Sequence, residues 1–179
     1  ERDYMDKLDI VTDESGNEVV LLPEIIFSNK QNINWNDVED YLGKYVGELI
    51  EIAETRDIIY IGNKFPDEYG GSSYTRKTKG ARAKAKANAA QGIREMVEIA
   101  TDKVYRENHK EKHSEDAHNG WFYYVTRFAI PLYNNEKKTG EYNVYSACLV
   151  VNHAANGKMY LYDVVGIKKE ASNPLKTIK

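Results

Sequence analysis

Three β-prone runs near the end of the sequence constrain the fold more than any other feature. They are WFYYVTRFAIPLY, YNVYSACLVVN and MYLYDVVGIKKE, and the polar turns NNEKKTGE and HAANGK separate them. Turns of this length commonly join neighbouring antiparallel strands. The pattern therefore predicts a three-stranded antiparallel meander.

The segment before the meander has a helical composition. ARAKAKANAAQGIREMVEIATDKVYREN is rich in alanine at first and then carries apolar residues at helical spacing. It predicts one long helix, or two helices joined at Gly92, packed on the core. A helix followed by a curled antiparallel sheet is an α+β fold.

The first half of the sequence predicts smaller elements. LDIVTDESGNEVVLL has two β-prone runs around a turn, which indicates a hairpin, and residues 36 to 46 have helical spacing. ELIEIAE and DIIYIG predict a second hairpin, whereas NKFPDEYGGSSYTRKTKG, with its Pro, Gly and Ser, predicts a surface loop. We expect an acidic β-hairpin arm over residues 1–33 and a single α+β domain over residues 34–179.

The net charge of -3 conceals an uneven distribution. The arm carries eight acids: Glu1, Asp3, Asp6, Asp9, Asp13, Glu14, Glu18 and Glu24. Residues 76 to 112 carry eleven lysines and arginines against five acids. A basic segment of this kind is a candidate contact for a polyanion.

Several classes of protein are disfavoured. No apolar run approaches the roughly 20 residues of a membrane span, so we expect no membrane partner and a location in the cytoplasm of a bacterial host. The lone cysteine, Cys148, lies in a strand-like run and has no partner for a disulfide or a cysteine-rich zinc site. No nucleotide-binding or hydrolase motif is found, and no cofactor is expected.

The densest basic run lies between residues 76 and 86, where six bases occur without one acid. If the helix extends back through this run, Arg76, Lys79, Arg82 and Lys86 form one stripe, three or four residues apart. A solvated helix face is the plainer interpretation. A nucleic-acid contact is the functional one, since each neutralised phosphate adds salt-dependent affinity. The candidate residues are Arg76, Lys77, Lys79, Arg82, Lys84 and Lys86.

A histidine-rich stretch, HKEKHSEDAH, precedes the first long strand. His109 and His113 are spaced i and i+4, but the glutamate does not follow the first histidine as in a zinc-protease helix, so no metal site is predicted. A solvated helix end is one alternative. The other is metal-free acid and base catalysis of RNA cleavage. Its candidate residues are His109, Lys112, His113, Arg127 and a strand hydroxyl such as Tyr145.

The aromatic side chains of the meander divide between two roles, because alternate residues of a strand face opposite sides. Trp121, Phe128 and Leu161 are expected in the core. Tyr124 and Tyr162 are candidates for contact with a partner, because tyrosine is amphipathic.

Several motifs together resemble a known family. FPDEYGGSSYT, KAKANAAQGI, HKEKHSEDAHNGWFYYVTRFAIPLY and LVVNHAANGKMYLYDVVGIKKE resemble the large polyvalent protein-associated domain of phages and conjugative elements of Firmicutes. Such domains are similar to the barnase, EndoU, colicin and RelE-like nuclease fold. The resemblance implies catalytic positions near His113 and Arg127.

The chain is also similar to anti-CRISPR proteins that act on type II Cas9. Two functions therefore stay open. One is a non-catalytic inhibitor from a mobile element that binds Cas9 with its guide RNA through the basic stripe and the acidic arm. The other is a metal-independent endoribonuclease.

Overall fold

The computed structural model describes residues 7–28, 32–107, 119–170 and 174–176. It has an α+β fold, in which short helices pack against a curled mixed sheet. The described strands are β1 (Ile10–Thr12), β2 (Glu18–Leu21), β3 (Leu49–Glu51), β4 (Ile58–Tyr60), β5 (Thr101–Arg106), β6 (Trp121–Asn134), β7 (Lys137–His153), β8 (Met159–Lys169) and β9 (Leu175–Lys176). The described α-helices are α1 (Trp35–Leu42), α2 (Phe65–Gly71), α3 (Ser73–Lys77), α4 (Gly80–Ala89) and α5 (Ile93–Glu98).

The predicted meander forms the centre of the sheet. β6 pairs antiparallel with β7, and β7 pairs antiparallel with β8. The full order is β1-β2-β6-β7-β8-β4-β3, while β5 also pairs with β6 and β9 with β7. The sheet is mixed because β2 runs parallel to β6, and β4 runs parallel to β8.

The two predicted hairpins are confirmed. In the first, the carboxylate of Asp13 accepts hydrogen bonds from the backbone N–H groups of Ser15 and Asn17, and Gly16 adopts a φ of +86°. This local bonding closes the turn between β1 and β2. The arm is joined to the sheet through β2, where Val20 lies opposite Phe128 in the β2–β6 ladder.

The helix predicted over residues 36 to 46 is confirmed with small shifts. The side chain of Asn34 accepts a hydrogen bond from the backbone of Asn36 and caps α1, and a 3-10 turn continues the helix to Tyr45. Gly47 follows at a φ of +93° and donates its N–H to the carbonyl of Ile61. The turn therefore directs the chain into the second hairpin.

The surface loop predicted before the basic run is wrong, because the segment forms α2 and α3. Phe65 and Tyr69 are four residues apart and share one buried face of α2. Gly70 fits closely against α1, since a Cβ at that position would lie 2.2 Å from the Glu39 carboxylate. Ser72 then caps α3 by accepting a hydrogen bond from Thr75. Gly70 thus serves close packing between α1 and α2.

Of the two alternatives for the next segment, the pair of helices joined at Gly92 is confirmed, but the helical part ends earlier than predicted. It is two helices, α4 and α5, joined by a 3-10 turn that ends at Gly92, and the second helix ends at Glu98. Residues 101–106 form β5 and pair with β6 around a bulge, where Asp102 adopts a φ of +58°. Pairing with a long neighbouring strand therefore overrides the helical spacing of this segment.

The main core lies between the helices and one face of the sheet. Ile93 and Val97 of α5 belong to the same buried cluster as Phe128 and Leu161, and these two positions confirm the core prediction. Trp121 was expected there but is only partly buried, and its ring packs edge-on against Tyr162 at 5.1 Å. Within the described ranges, no helix is both long enough and apolar enough to cross a membrane.

Candidate nucleic-acid interface

Four basic side chains gather where α3 meets α4. Arg76 and Lys77 end α3, Lys79 precedes α4, and Arg82 lies in the first turn of α4. All four are exposed, and Lys84 is half-buried one turn further on. We call Arg76, Lys77, Lys79 and Arg82 the basic surface.

The basic surface is not a stripe along one helix. Thr78 is extended, with φ −75° and ψ 144°, and donates its N–H to the carbonyl of Thr75 to close α3. Gly80 then takes a φ of +58° as the chain enters α4. The predicted stripe is wrong because these two residues break the helix, so the cations project from a bend between two helices.

The prediction that Lys86 contacts nucleic acid is wrong. Its side chain is fully buried, and its Nζ atom lies 2.6 Å from Oδ1 of Asp163. The rings of Tyr69 and Tyr74 flank the ammonium group, with their centroids 4.5 and 5.0 Å away. Asp163 of β8 is likewise buried, at 2% exposure, and this base from α4 is its ionic partner.

The buried pair shifts the pKa of both partners. Burial lowers the pKa of Lys86, although the carboxylate of Asp163 opposes the shift. Burial likewise raises the pKa of Asp163, against the effect of the ammonium group. Both shifts reflect the cost of keeping charge away from water. Lys86 is therefore a structural side chain that joins α4 to β8.

The side chains of the basic surface have no counter-ion, unlike several partly buried cations of the chain. Arg94 lies 2.9 Å from Glu48, Lys103 lies 2.9 Å from Asp57, and Arg127 pairs with Glu170. In the part of the chain that the structure describes, none of the four side chains of the basic surface forms an ion pair. Its four charged groups are thus exposed and not neutralised by a carboxylate of the described chain.

The acidic arm presents exposed carboxylates and is attached to α4. Asp9, Glu14, Glu18 and Glu24 are exposed, whereas Asp13 serves the turn. The arm is attached to α4 through Asn88, whose Oδ1 atom accepts hydrogen bonds from the backbone of Ile26 and Phe27. Asn88 lies six residues after Arg82, about 9 Å along the helix axis. The arm is therefore attached near the end of α4 that is remote from Arg82.

The candidate nuclease residues that the structure describes do not converge. Tyr145 stacks on Phe128 in the core, with ring centroids 5.5 Å apart, and burial raises the pKa of its hydroxyl. Arg127 precedes Phe128 in β6, so it projects from the opposite face and pairs there with Glu170. His109, Lys112 and His113 lie outside the described residues.

The two tyrosines predicted to contact a partner have different positions. Tyr124 is buried and donates a hydrogen bond of 2.7 Å to Oδ2 of Asp57. Burial, together with Asp57, raises the pKa of Tyr124 well above its usual value. Partner contact is therefore wrong for Tyr124, which is a core residue. Tyr162 lies half-buried beside Trp121.

Sequence reasoning missed a cavity between the start of α2 and the β7–β8 hairpin. Asn152 and Tyr160 contribute to its lining, and nothing in their local sequence marks them as functional. In the described ranges, no group of three histidine, cysteine, aspartate or glutamate side chains is arranged to hold a metal ion.

Comparisons of the chain with protein-family models, with curated proteins and with solved structures found no match.

Proposed function

We propose that the protein is a non-catalytic inhibitor, carried by a mobile element, that binds the nucleic acid of a host nucleoprotein. The candidate for this host nucleoprotein is Cas9 with its guide RNA. The observation that carries this proposal is the basic surface, four exposed cations at one bend with no carboxylate paired to them in the described chain.

Unpaired cations favour a phosphate backbone for a physical reason. Nucleic acids hold condensed counter-ions, and each phosphate contacted by lysine or arginine releases ions into solution. A cation already paired with a carboxylate must first give up that partner. None of the four side chains of the basic surface has a carboxylate to give up, although Nε of Arg76 donates a hydrogen bond to the carbonyl of Gly71.

The resemblance to type II anti-CRISPR proteins supports Cas9 as the partner. Cas9 holds its guide and target strands in a positively charged channel. The exposed carboxylates of the arm complement such a channel, while the basic surface complements the RNA or DNA that it holds. A ribonuclease is the competing function, and the separation of Arg127 from Tyr145 on opposite faces of the sheet argues against it.

The test is a cleavage assay with Cas9, guide RNA and labelled target DNA. The protein is titrated into one series of samples and a reversed-charge variant into another. The variant carries Arg76→Glu, Lys77→Glu, Lys79→Glu and Arg82→Glu. We expect the protein to block cleavage, and the variant to need an at least about tenfold higher concentration, because four phosphate contacts are lost.

A matched control reverses four other exposed lysines, Lys7, Lys137, Lys168 and Lys169, and should inhibit like the natural protein. Equal inhibition by both variants would contradict the role of the basic surface. Guide RNA is examined on the same gels in samples with EDTA. RNA degradation that resists the chelator would establish the ribonuclease instead.

A further inference from the structure

A cavity of about 250 Å³ lies at the end of the sheet nearest α2. Phe65 and Leu161 give it apolar walls, the ring of Tyr160 forms a further wall, and Ala154 lines it from the β7–β8 turn. Gly62 lets the chain approach the Tyr160 ring, since a Cβ there would lie 3.3 Å from Cδ2 of that ring. The cavity is thus a small, partly aromatic slot.

Asn152 lines this cavity and carries a buried side-chain oxygen without a hydrogen-bond partner. It is only 6% exposed, and its Oδ1 atom is buried without a hydrogen-bond partner. A buried acceptor left unsatisfied costs about 1–3 kcal/mol. The amide nitrogen forms no hydrogen bond in the described part of the chain, but it is not buried as Oδ1 is. The unsatisfied oxygen costs stability, and a ligand that hydrogen-bonds to this amide would offset that cost.

We propose that this cavity binds a single unstacked nucleobase. Its volume lies just below the range of about 300–1,000 Å³ for small-molecule sites, which suits one planar ring system better than a whole nucleotide. An asparagine amide offers a donor beside an acceptor, the pattern that pairs with N6 and N7 of adenine. Tyr160 supplies an aromatic wall for stacking. Adenine is the base that fits this combination.

The position of the cavity agrees with a strand that also crosses the basic surface. Phe65 and Glu68 line the cavity and lie in the first half of α2, a helix about 10 Å long. Arg76 follows five residues after α2 ends. At roughly 3.4 Å per nucleotide, a strand of a few nucleotides covers the length of α2. The inference deepens the proposed function and rests on it for the strand that delivers the base.

The first experiment compares a labelled 12-nucleotide oligo(dA) strand with an abasic strand of the same length, by fluorescence anisotropy at 50 mM salt. Both strands offer the same phosphates to the basic surface, but only oligo(dA) offers a base to the cavity. We expect oligo(dA) to bind about five-fold to 100-fold more tightly, as one stacked base contributes. Equal affinity for the two strands would overturn the proposal.

Two variants assign that difference to the cavity. Ala154→Trp fills the slot while the backbone hydrogen bond from the Ala154 N–H to the Lys158 carbonyl is kept. Asn152→Leu removes the amide. Each should abolish the preference for oligo(dA) and leave binding of the abasic strand unchanged. Asn143→Leu, on the same strand but outside the cavity lining, is the matched control and should keep the preference.

Stability gives a readout that a purely structural asparagine would not give. Asn152→Leu removes an unsatisfied buried oxygen, so its unfolding midpoint in urea should equal or exceed that of the natural protein. A lower midpoint combined with an unchanged preference for oligo(dA) would overturn the assignment of Asn152.

Adenosine alone separates this inference from the proposed function. Saturation-transfer NMR at millimolar adenosine should detect binding to the natural protein and none to Ala154→Trp. If adenosine binds but no strand does, the cavity stands and the proposed function fails. If strands bind through the basic surface but adenosine does not bind, the proposed function stands and the nucleobase site fails. Adenosine binding that survives Ala154→Trp would also refute the site.

Discussion

The buried pair of Lys86 and Asp163 joins α4 to β8, and Lys86→Met removes its cation while preserving most of the side-chain length. The substitution leaves the Asp163 carboxylate 3% exposed and without its counter-ion. Breaking a buried pair in this way costs about 3–5 kcal/mol. Domains are stable by only about 5–15 kcal/mol, so a large part of the free energy of unfolding is lost.

The loss should depend on pH in a defined direction. Burial raises the pKa of Asp163 in the folded protein above its usual value of 3.8. A folded carboxyl with a raised pKa binds a proton more readily than the unfolded one, so folding is favoured as pH falls through that interval. The destabilisation by Lys86→Met should therefore be full at pH 7.5 and smaller near pH 4, where Asp163 becomes neutral.

Urea unfolding followed by circular dichroism measures both effects. Lys84→Met, on the same helix but half-buried, is the control and should change stability by less than about 0.5 kcal/mol. The double variant Lys86→Met with Asp163→Asn should lose less than Lys86→Met alone, since no buried charge remains. An unfolding midpoint of Lys86→Met equal to that of Lys84→Met would refute the burial of Lys86.

Two further substitutions test how the elements are held together. Burial alone would raise the pKa of Asp57. Its hydrogen bonds, of which the one from Lys103 has the largest effect, outweigh burial and lower the pKa below 3.8. This carboxylate therefore stabilises the fold above pH 3.8, and the stabilisation is lost as the pH falls through the lowered pKa. The difference in stability between Asp57→Asn and the natural protein should shrink between pH 5 and pH 2.5, as urea titrations would measure. Asn88→Ala leaves the backbone N–H groups of Ile26 and Phe27 without their acceptor, and it should lower the free energy of unfolding by about 1–3 kcal/mol; an unchanged midpoint would contradict the attachment of the arm to α4.

Much of the sheet could be predicted from the sequence, because long β-prone runs between short polar turns allow few arrangements. β6, β7 and β8 follow those runs closely. The parallel pairing of β2 with β6 could not be predicted, since it brings together residues more than 100 positions apart. The error at α2 has a local cause: Gly70 and Gly71 indicate a loop, whereas close contact with Glu39 is what requires Gly70.

The site could be predicted in composition but not in burial. Six bases without an acid mark residues 76 to 86, yet alanines at alternate positions of α4 give no apolar face that shows which lysine turns inward. Lys86 is buried because Asp163, 77 residues later, lies opposite it. Tyr124 is buried for a similar reason, since Asp57 accepts a hydrogen bond from its hydroxyl. Long-range polar partners of this kind leave no local signal in the sequence.

The salt dependence of nucleic-acid binding tests the role of the basic surface most directly. Affinity for a labelled single-stranded RNA is measured between 50 and 200 mM salt for the natural protein and for the variant with Arg76, Lys77, Lys79 and Arg82 reversed. Four phosphate contacts predict a slope of about −2.8 for log affinity against log salt, or a loss of about 50-fold across the range. The reversed variant should show a slope near zero. Equal slopes for the two proteins, or no binding by the natural protein at 50 mM salt, would contradict the account.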